Sequence, residues 1–134
     1  MVRITWPASF AARVAELQKG VAEGDRLARK RLAALRALLE ALRELGAEPE
    51  EESATFKRVR QARRHELWRV AHPFDPDVAV RIIVWFPSGG EVVVALFSFD
   101  KARLGDVWYD RAAIEGQLLV DQWIRQHPQS EEAQ

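Results

Sequence analysis

The sequence predicts an α+β domain with elements in the order β-α-α-β-β-β-α. Three observations carry that prediction. Two apolar helical faces fill the first third of the chain and meet at a Gly-Asp turn. Three apolar, β-branched runs follow, separated by turn-forming residues, and a last amphipathic segment closes the chain. Helices and strands are grouped rather than alternating, so the expected architecture is not doubly wound. It is an N-terminal strand, a two-helix antiparallel hairpin, a three-stranded antiparallel meander completing a four-stranded sheet, and a C-terminal helix.

Val2 to Trp6 alternates and carries β-branched residues, which reads as a short strand. Pro7 then suits the first turn of a helix. Phe10, Val14, Leu17 and Val21 recur at helical spacing, and Gly20 or Gly24 ends that face. Asp25 is a good N-cap for the second helix. Leu27, Leu32, Leu35, Leu38, Leu39, Leu42 and Leu45 build its apolar stripe, and Gly46 fits the position just past its end. A short turn between the two helices makes them an antiparallel pair. The stripe is short for a coiled-coil seam and has a sheet to cover, so it reads as core. Gly46 to Thr55 is acidic, with proline and serine, and reads as a solvated loop.

The strands of the meander are expected at Glu66–His72, Val78–Phe86 and Glu91–Phe99. Asp75 and Pro76 supply turn chemistry between the first two, and Pro87-Ser-Gly-Gly90 forms a glycine-bearing hairpin loop between the others. Asp100 to Asp106 is a polar loop. Asp110 is placed to cap a last helix over Arg111 to about Gln126, with Ile114, Leu118, Val120 and Ile124 turned partly toward the sheet. One domain over 1–126 is expected, with 127–134 as a disordered tail.

The chain carries 20 basic and 20 acidic residues, so its net charge does not announce a polyanion partner. The distribution does. Lys57, Arg58, Arg60, Arg63, Arg64 and Arg69 stand close together against Glu66 alone, a local face able to attract phosphate. There is no cysteine, which removes disulfides, thiolate catalysis and cysteine-based zinc sites and suits a reducing, cytoplasmic setting. No signal peptide and no membrane span is legible. His65, His72 and His127 show no metal-ligand spacing, Asp75 and Asp77 lack the rest of a calcium loop, and neither a phosphate loop nor a nucleophile elbow is present, so no metal or cofactor is expected.

Arg81 is the anomaly. It is the single charge in the apolar run Val78–Phe86, which otherwise reads as a strand covered on both faces. A guanidinium there keeps its charge and needs a partner or a wet cleft. It marks either a buried ion pair, with Glu66 or Glu91 as candidates, or a working site on a sheet face. Arg69, in the preceding strand, is placed to lie opposite it, and Lys101, Arg103 and Tyr109 follow the last strand. Arginine and lysine clusters stabilise charge on a transferring phosphoryl group, and a tyrosine or histidine beside them assists proton transfer or stacks on a base.

The element order and the local text resemble the RelE/ParE superfamily of toxins from type II toxin–antitoxin modules, in its HigB/RelE-like branch. Arg64-His-Glu-Leu-Trp-Arg-Val70 is similar to that family's second strand, Val80-Arg-Ile-Ile-Val84 to its third and Glu91 to Phe99 to its fourth. Asp100-Lys-Ala-Arg103 and Tyr109-Asp-Arg-Ala112 resemble its basic loop and last helix. The resemblance implies a metal-independent, ribosome-dependent mRNA endonuclease that uses the RNA 2′-hydroxyl as nucleophile and is held inactive by a cognate antitoxin protein. It implies Arg69 as the residue that orients substrate, Arg81 as the charge on the phosphorane, Arg103 or Lys101 as the loop contact, and Tyr109 as the residue that stacks on the base and acts as general base. Lys57, Arg60, Arg63, Arg64, His65 and Lys101 are then the expected RNA contacts. The alternatives are a ParE-like toxin that inhibits DNA gyrase and a non-toxic phage or mobile-element binding protein.

Overall fold

The computed structural model describes residues 3–71, 78–87, 92–100 and 108–127. Among them are strand β1 (Arg3–Thr5), helices α1 (Ala8–Ala22) and α2 (Arg26–Arg43), strands β2 (Phe56–Arg58), β3 (Leu67–Ala71), β4 (Val80–Trp85) and β5 (Val92–Asp100), and helix α3 (Trp108–Gln126). The architecture is α+β, as the sequence predicts. The sheet has five strands rather than four, in the order β1-β5-β4-β3-β2. The extra strand, β2, adds an edge beside β3 with Phe56 opposite Val70, Lys57 opposite Arg69 and Arg58 opposite Trp68. Three residues of mixed character give too short a pattern to read from sequence. β1 pairs parallel with β5, and all other pairs are antiparallel.

The strand alternation divides the interior into two cores. Even-numbered Val78, Val80, Ile82, Val84 and Phe86 meet Trp68 and Val70 of β3 and, from the helical hairpin, Phe10, Leu35, Leu38 and Leu42. Odd-numbered Ile83 and Trp85 face the other way. With Leu67 and Val59 they meet Ala112, Ala113, Val120 and Trp123 of α3. Both faces of the sheet are therefore covered.

The hairpin forms as its caps dictate. Asp25 Oδ1 accepts from the backbone N–H of Leu27 at 3.0 Å and of Ala28 at 3.1 Å. Gly24 holds φ at +86° in the turn, a conformation that L side chains rarely adopt. Gly20 stays inside α1, where its missing side chain lets the helices approach: a Cβ there would lie 2.8 Å from the Cβ of Ala28. α2 stops at Arg43, and Gly46 is not in the left-handed conformation expected of it. Leu27, at the outer start of α2, is 43% exposed and leaves the stripe.

α3 begins earlier than predicted, so Asp110 lies in its first turn and does not cap it. Ile114 and Leu118 are 63% and 59% exposed, on the side turned away from the sheet. The small residues Ala112 and Ala113 face the sheet instead. His127, assigned to the tail, stacks on Trp123 with ring centroids 3.9 Å apart. The predicted turns at 72–77 and 88–90 lie outside the described residues. No helix among those described is long and apolar enough to cross a membrane.

One ion pair ties the hairpin to the sheet. Asp100, assigned by sequence to a loop, is instead the last residue of β5 and only 6% exposed. Its Oδ2 accepts from Arg31 Nε of α2 at 2.9 Å, and its Oδ1 from the backbone N–H of Ala79 at 2.9 Å. The pair satisfies a backbone donor beside β4 while it fixes the position of α2.

Gly20→Ala should destabilise the protein by about 1–3 kcal/mol, the usual cost of overpacking, although alanine in a helix interior is favoured over glycine by about 1 kcal/mol. The double variant Gly20→Ala/Ala28→Gly should recover most of the loss. Urea unfolding midpoints check both; a single variant as stable as wild type would contradict so close an approach of α1 and α2.

Candidate functional site

The face of the sheet under α3 is apolar at one end and cationic at the other. Leu67 precedes Arg69 by two residues on β3, and Ile83 follows Arg81 by two on β4, so all four side chains project to the same face. Arg69 lies opposite Ile83, and Arg81 opposite Ala71. The two arginines are thus diagonal neighbours and not directly opposed as expected. The residue directly opposite Arg69 is Lys57, on the strand that sequence did not reveal. Three cations then form one strip: Lys57, Arg69, Arg81. Like charges facing each other across a strand pair are unfavourable, so the strip is a cost unless something anionic meets it.

No carboxylate meets it among the described residues. Arg69 donates from Nη2 to the carbonyl of Ala54 at 3.0 Å, and Arg81 from Nη1 to the carbonyl of Val80 at 3.0 Å. The Nε atoms of both are buried and make no hydrogen bond. Both side chains are partly buried, and Lys57 is exposed. The ion-pair alternative for Arg81 fails at Glu66, whose Oε1 accepts from Arg58 Nε. Glu91 lies outside the described residues, as do Lys101 and Arg103. Tyr109 belongs to the first turn of α3 and not to a loop. It packs against the second core, with its hydroxyl oxygen buried.

The rest of the basic segment is largely neutralised within the chain. Arg58 pairs with Glu66 and lies over the Trp68 ring, 4.7 Å from its centroid. Arg60 pairs with Glu52 at 2.8 Å. Trp68 Nε1 donates to Glu48 Oε1 at 3.1 Å. The acidic loop therefore does more than solvate: two of its carboxylates hold the edge of the sheet. Arg63 has no such partner.

A second polar cluster lies where α3 crosses the segment before β3. Arg64 Nη1 donates to Asp121 Oδ2 at 2.7 Å, and His65 Nε2 meets Asp121 Oδ1 at 2.8 Å. Gln117 Oε1, one turn earlier, accepts from the backbone N–H of Arg64 at 2.7 Å. The His65 ring stands edge-on to Trp85, 6.1 Å between centroids. Hydrogen bonds from His65 and then Arg64 hold the Asp121 carboxyl below its ordinary value of 3.8. Gln117 and Asp121 escaped the sequence reading because their partners stand more than 50 residues away; four-residue spacing on an exposed helix carries no sign of them.

Beside this cluster opens a groove of about 310 Å³, lined by Arg58, Val59, Arg60, Ala62, Arg63, His65, Glu66 and Leu67. The expected RNA contacts thus fall into two places. Lys57 joins Arg69 and Arg81 on the strip, whereas Arg60, Arg63 and His65 line the groove. Arg64 faces α3. Searches against protein-family models, curated proteins and solved structures find no match to this chain.

The lowered Asp121 carboxyl sets a pH dependence. A group whose folded value lies below its unfolded one stabilises the fold above the unfolded value, and that contribution is lost as pH falls through the folded value. Wild type should therefore lose stability below about pH 3.8 relative to Asp121→Asn. The gap between the two should narrow as acid protonates the carboxyl. Urea unfolding across an acid pH series checks this; parallel curves would remove Asp121 as the latch of α3.

Proposed function

We propose that this chain is an RNA-directed toxin of the RelE type, which binds single-stranded RNA on the Lys57–Arg69–Arg81 strip and cuts it without a metal. The observation that carries the reading is the strip itself: three adjacent cations on one sheet face with no carboxylate partner among the described residues. A guanidinium offers five N–H donors. Among the described residues Arg81 makes one hydrogen bond, to the Val80 carbonyl, so most of its donors remain for a ligand. A phosphodiester brings two charged acceptor oxygens, matched to that fork. Charge fixed in place before the reaction is the main help a protein gives a phosphoryl centre.

In this reading Arg69 and Lys57 hold the backbone of the strand, and Arg81 carries the charge that develops as the 2′-hydroxyl, giving its proton to water, attacks the phosphorus. The P–O5′ bond breaks, the 5′-oxygen takes a proton from water, and a 2′,3′-cyclic phosphate remains. The ring of Tyr109, at the start of α3, stacks on a base. Lys101 and Arg103, outside the described residues, are the further contacts that the resemblance implies. The element order, with a helical hairpin under the sheet and a single helix over it, supports the resemblance to RelE/ParE toxins. A cognate antitoxin protein then covers the cations until it is degraded.

Single-stranded RNA should bind with a salt dependence set by the strip. Each of Lys57→Ala, Arg69→Ala and Arg81→Ala should lower the slope of log affinity against log salt by about 0.7, the loss of one phosphate contact. In cells, induction should arrest growth and produce new RNA 5′ ends, and Arg81→Ala should cut their yield by about 10²-fold or more. Unchanged slopes in all three variants would sink the reading. A DNA-damage response with intact RNA would assign the gyrase alternative instead.

A further inference from the structure

The groove beside His65 has a different composition from the strip and a different place. His65 stands edge-on to Trp85, and Arg81 lies four residues away on the same strand, about 13 Å, although Leu67 of the groove is only two residues, about 7 Å, from Arg69 of the strip. Between them Ile83 is fully buried under α3. A ligand on one does not fill the other.

Four features of the groove converge on an anion. Arg58, Arg60 and Arg63 line it against Glu66 alone. Arg58 and Arg60 are already paired, with Glu66 and Glu52, so their positions are fixed and their charge is partly spent. Arg63 is exposed and has no hydrogen-bond or ion-pair partner among the described residues, so its charge remains for a ligand. His65 lies between Asp121 and the groove. Its Nε2 is taken by the carboxylate, so a proton on that nitrogen is held there, and Nδ1 is left without a partner. A carboxylate on one imidazole nitrogen fixes the ring's orientation and leaves the other nitrogen to meet a ligand.

We propose that this groove is a separate phosphate-binding site, in which Arg63 supplies the attracting charge and His65, aligned by Asp121, donates from Nδ1 to a phosphate oxygen. The ligand class is a phosphate carried either by a free nucleotide or by an RNA strand. At about 310 Å³ the groove stands at the lower end of the usual range for small-molecule sites, room for a phosphate and its sugar. Donation from Nδ1 needs a proton on that nitrogen as well as on Nε2. The charged groups around that ring are Asp121 on α3 and Arg63, Arg64 and Glu66 beside it in the chain, with Arg58 and Arg60 across the groove.

The inference does not depend on the strip, and the experiment separates the two. The imidazole nitrogens of His65 are followed by NMR while sulfate, a nucleoside monophosphate or a short single-stranded oligoribonucleotide is added to the full chain. Sulfate is the key probe, because it carries the anionic oxygens with no sugar or base. Sulfate and the nucleotide should shift Nδ1. Arg63→Ala, an exposed change that leaves the core intact, should weaken the response about tenfold or more. Arg81→Ala should leave it unchanged. A response to the nucleotide and not to RNA assigns the free nucleotide; a response to both assigns the phosphate they share. A response to RNA and not to the nucleotide assigns the strand; the proposal is overturned if Nδ1 does not move, if only sulfate moves it (an adventitious ion only), if Arg63→Ala binds as wild type does, or if Arg81→Ala abolishes the response. Loss of RNA binding by the strip variants, with the His65 response intact or absent, decides the strip and leaves the groove to its own result.

Discussion

The structure depends on a single strand that is covered on both sides. β4 has helices above and below it and strands at both edges, so every residue of Val80–Trp85 except Arg81 is buried. A strand in that position must be apolar in both phases of its pleat. It then divides the interior by parity alone, the even residues into the hairpin core and the odd ones into the core under α3. The rest of the fold follows from filling those two cores. The leucines of α2 meet the even face. Helix α3 presents alanines, Val120 and Trp123 to the odd face, where Trp85 and Leu67 already fill the space and only small residues let the helix come down.

Within that constraint Arg81 is costly. It occupies an odd position on the central strand, where the pattern demands an apolar residue, and an unpartnered N–H in such a place costs about 1–3 kcal/mol. Arg69 repeats the exception one strand over, and Lys57 repeats it at the edge. One such residue is an accident of sequence that a protein can tolerate. Three that coincide on one face, while the neighbouring Arg58, Arg60 and Arg64 all find carboxylates, are not explained by packing. Among the described residues, the acids sit beside the other cations and none pairs with these three.

What the sequence disclosed and what it hid follow from the range of the signals. The helical hairpin was legible because its apolar spacing, Asp25 cap and Gly24 turn are all local. The strands of the meander were legible because a fully buried strand is a continuous apolar run. Strand β2 was not, since three residues paired on one side alone need no apolar pattern. Its absence from the reading hid Lys57 as the member of the strip that faces Arg69. The register of β3 on β4 was also hidden, because the connecting residues fix it and their turn chemistry does not state it; hence Arg69 and Arg81 were expected face to face and are diagonal. Asp100 with Arg31, and Asp121 with His65, are pairings across long stretches of chain, which no spacing rule detects. Ile114 and Leu118 misled for a related reason: helical periodicity gives the face of α3 but not which of two apolar stripes meets the sheet, and the close approach demanded by Trp85 selects the small one.

The two cationic places also differ in how the chain holds them, and that difference bears on what each can do. The strip is built on strands, whose hydrogen-bond ladder fixes the backbone of Arg69 and Arg81 on both sides. Its charges repel one another and have no internal counter-ion among the described residues, so an arriving phosphate relieves both the repulsion and the unspent donors. The groove is built on a connection, and its geometry comes from α3 through Asp121 and Gln117. Its charges are mostly balanced, so it gains less from an anion but holds one imidazole in a set orientation. Mutual repulsion on a rigid frame favours the binding of a long polyanion, which spreads many phosphates over the strip. An oriented imidazole with one free guanidinium favours a single phosphate. The contrast between a strand-built strip and a loop-built groove thus follows from where the carboxylates of the described residues fall, beside the groove and away from the strip.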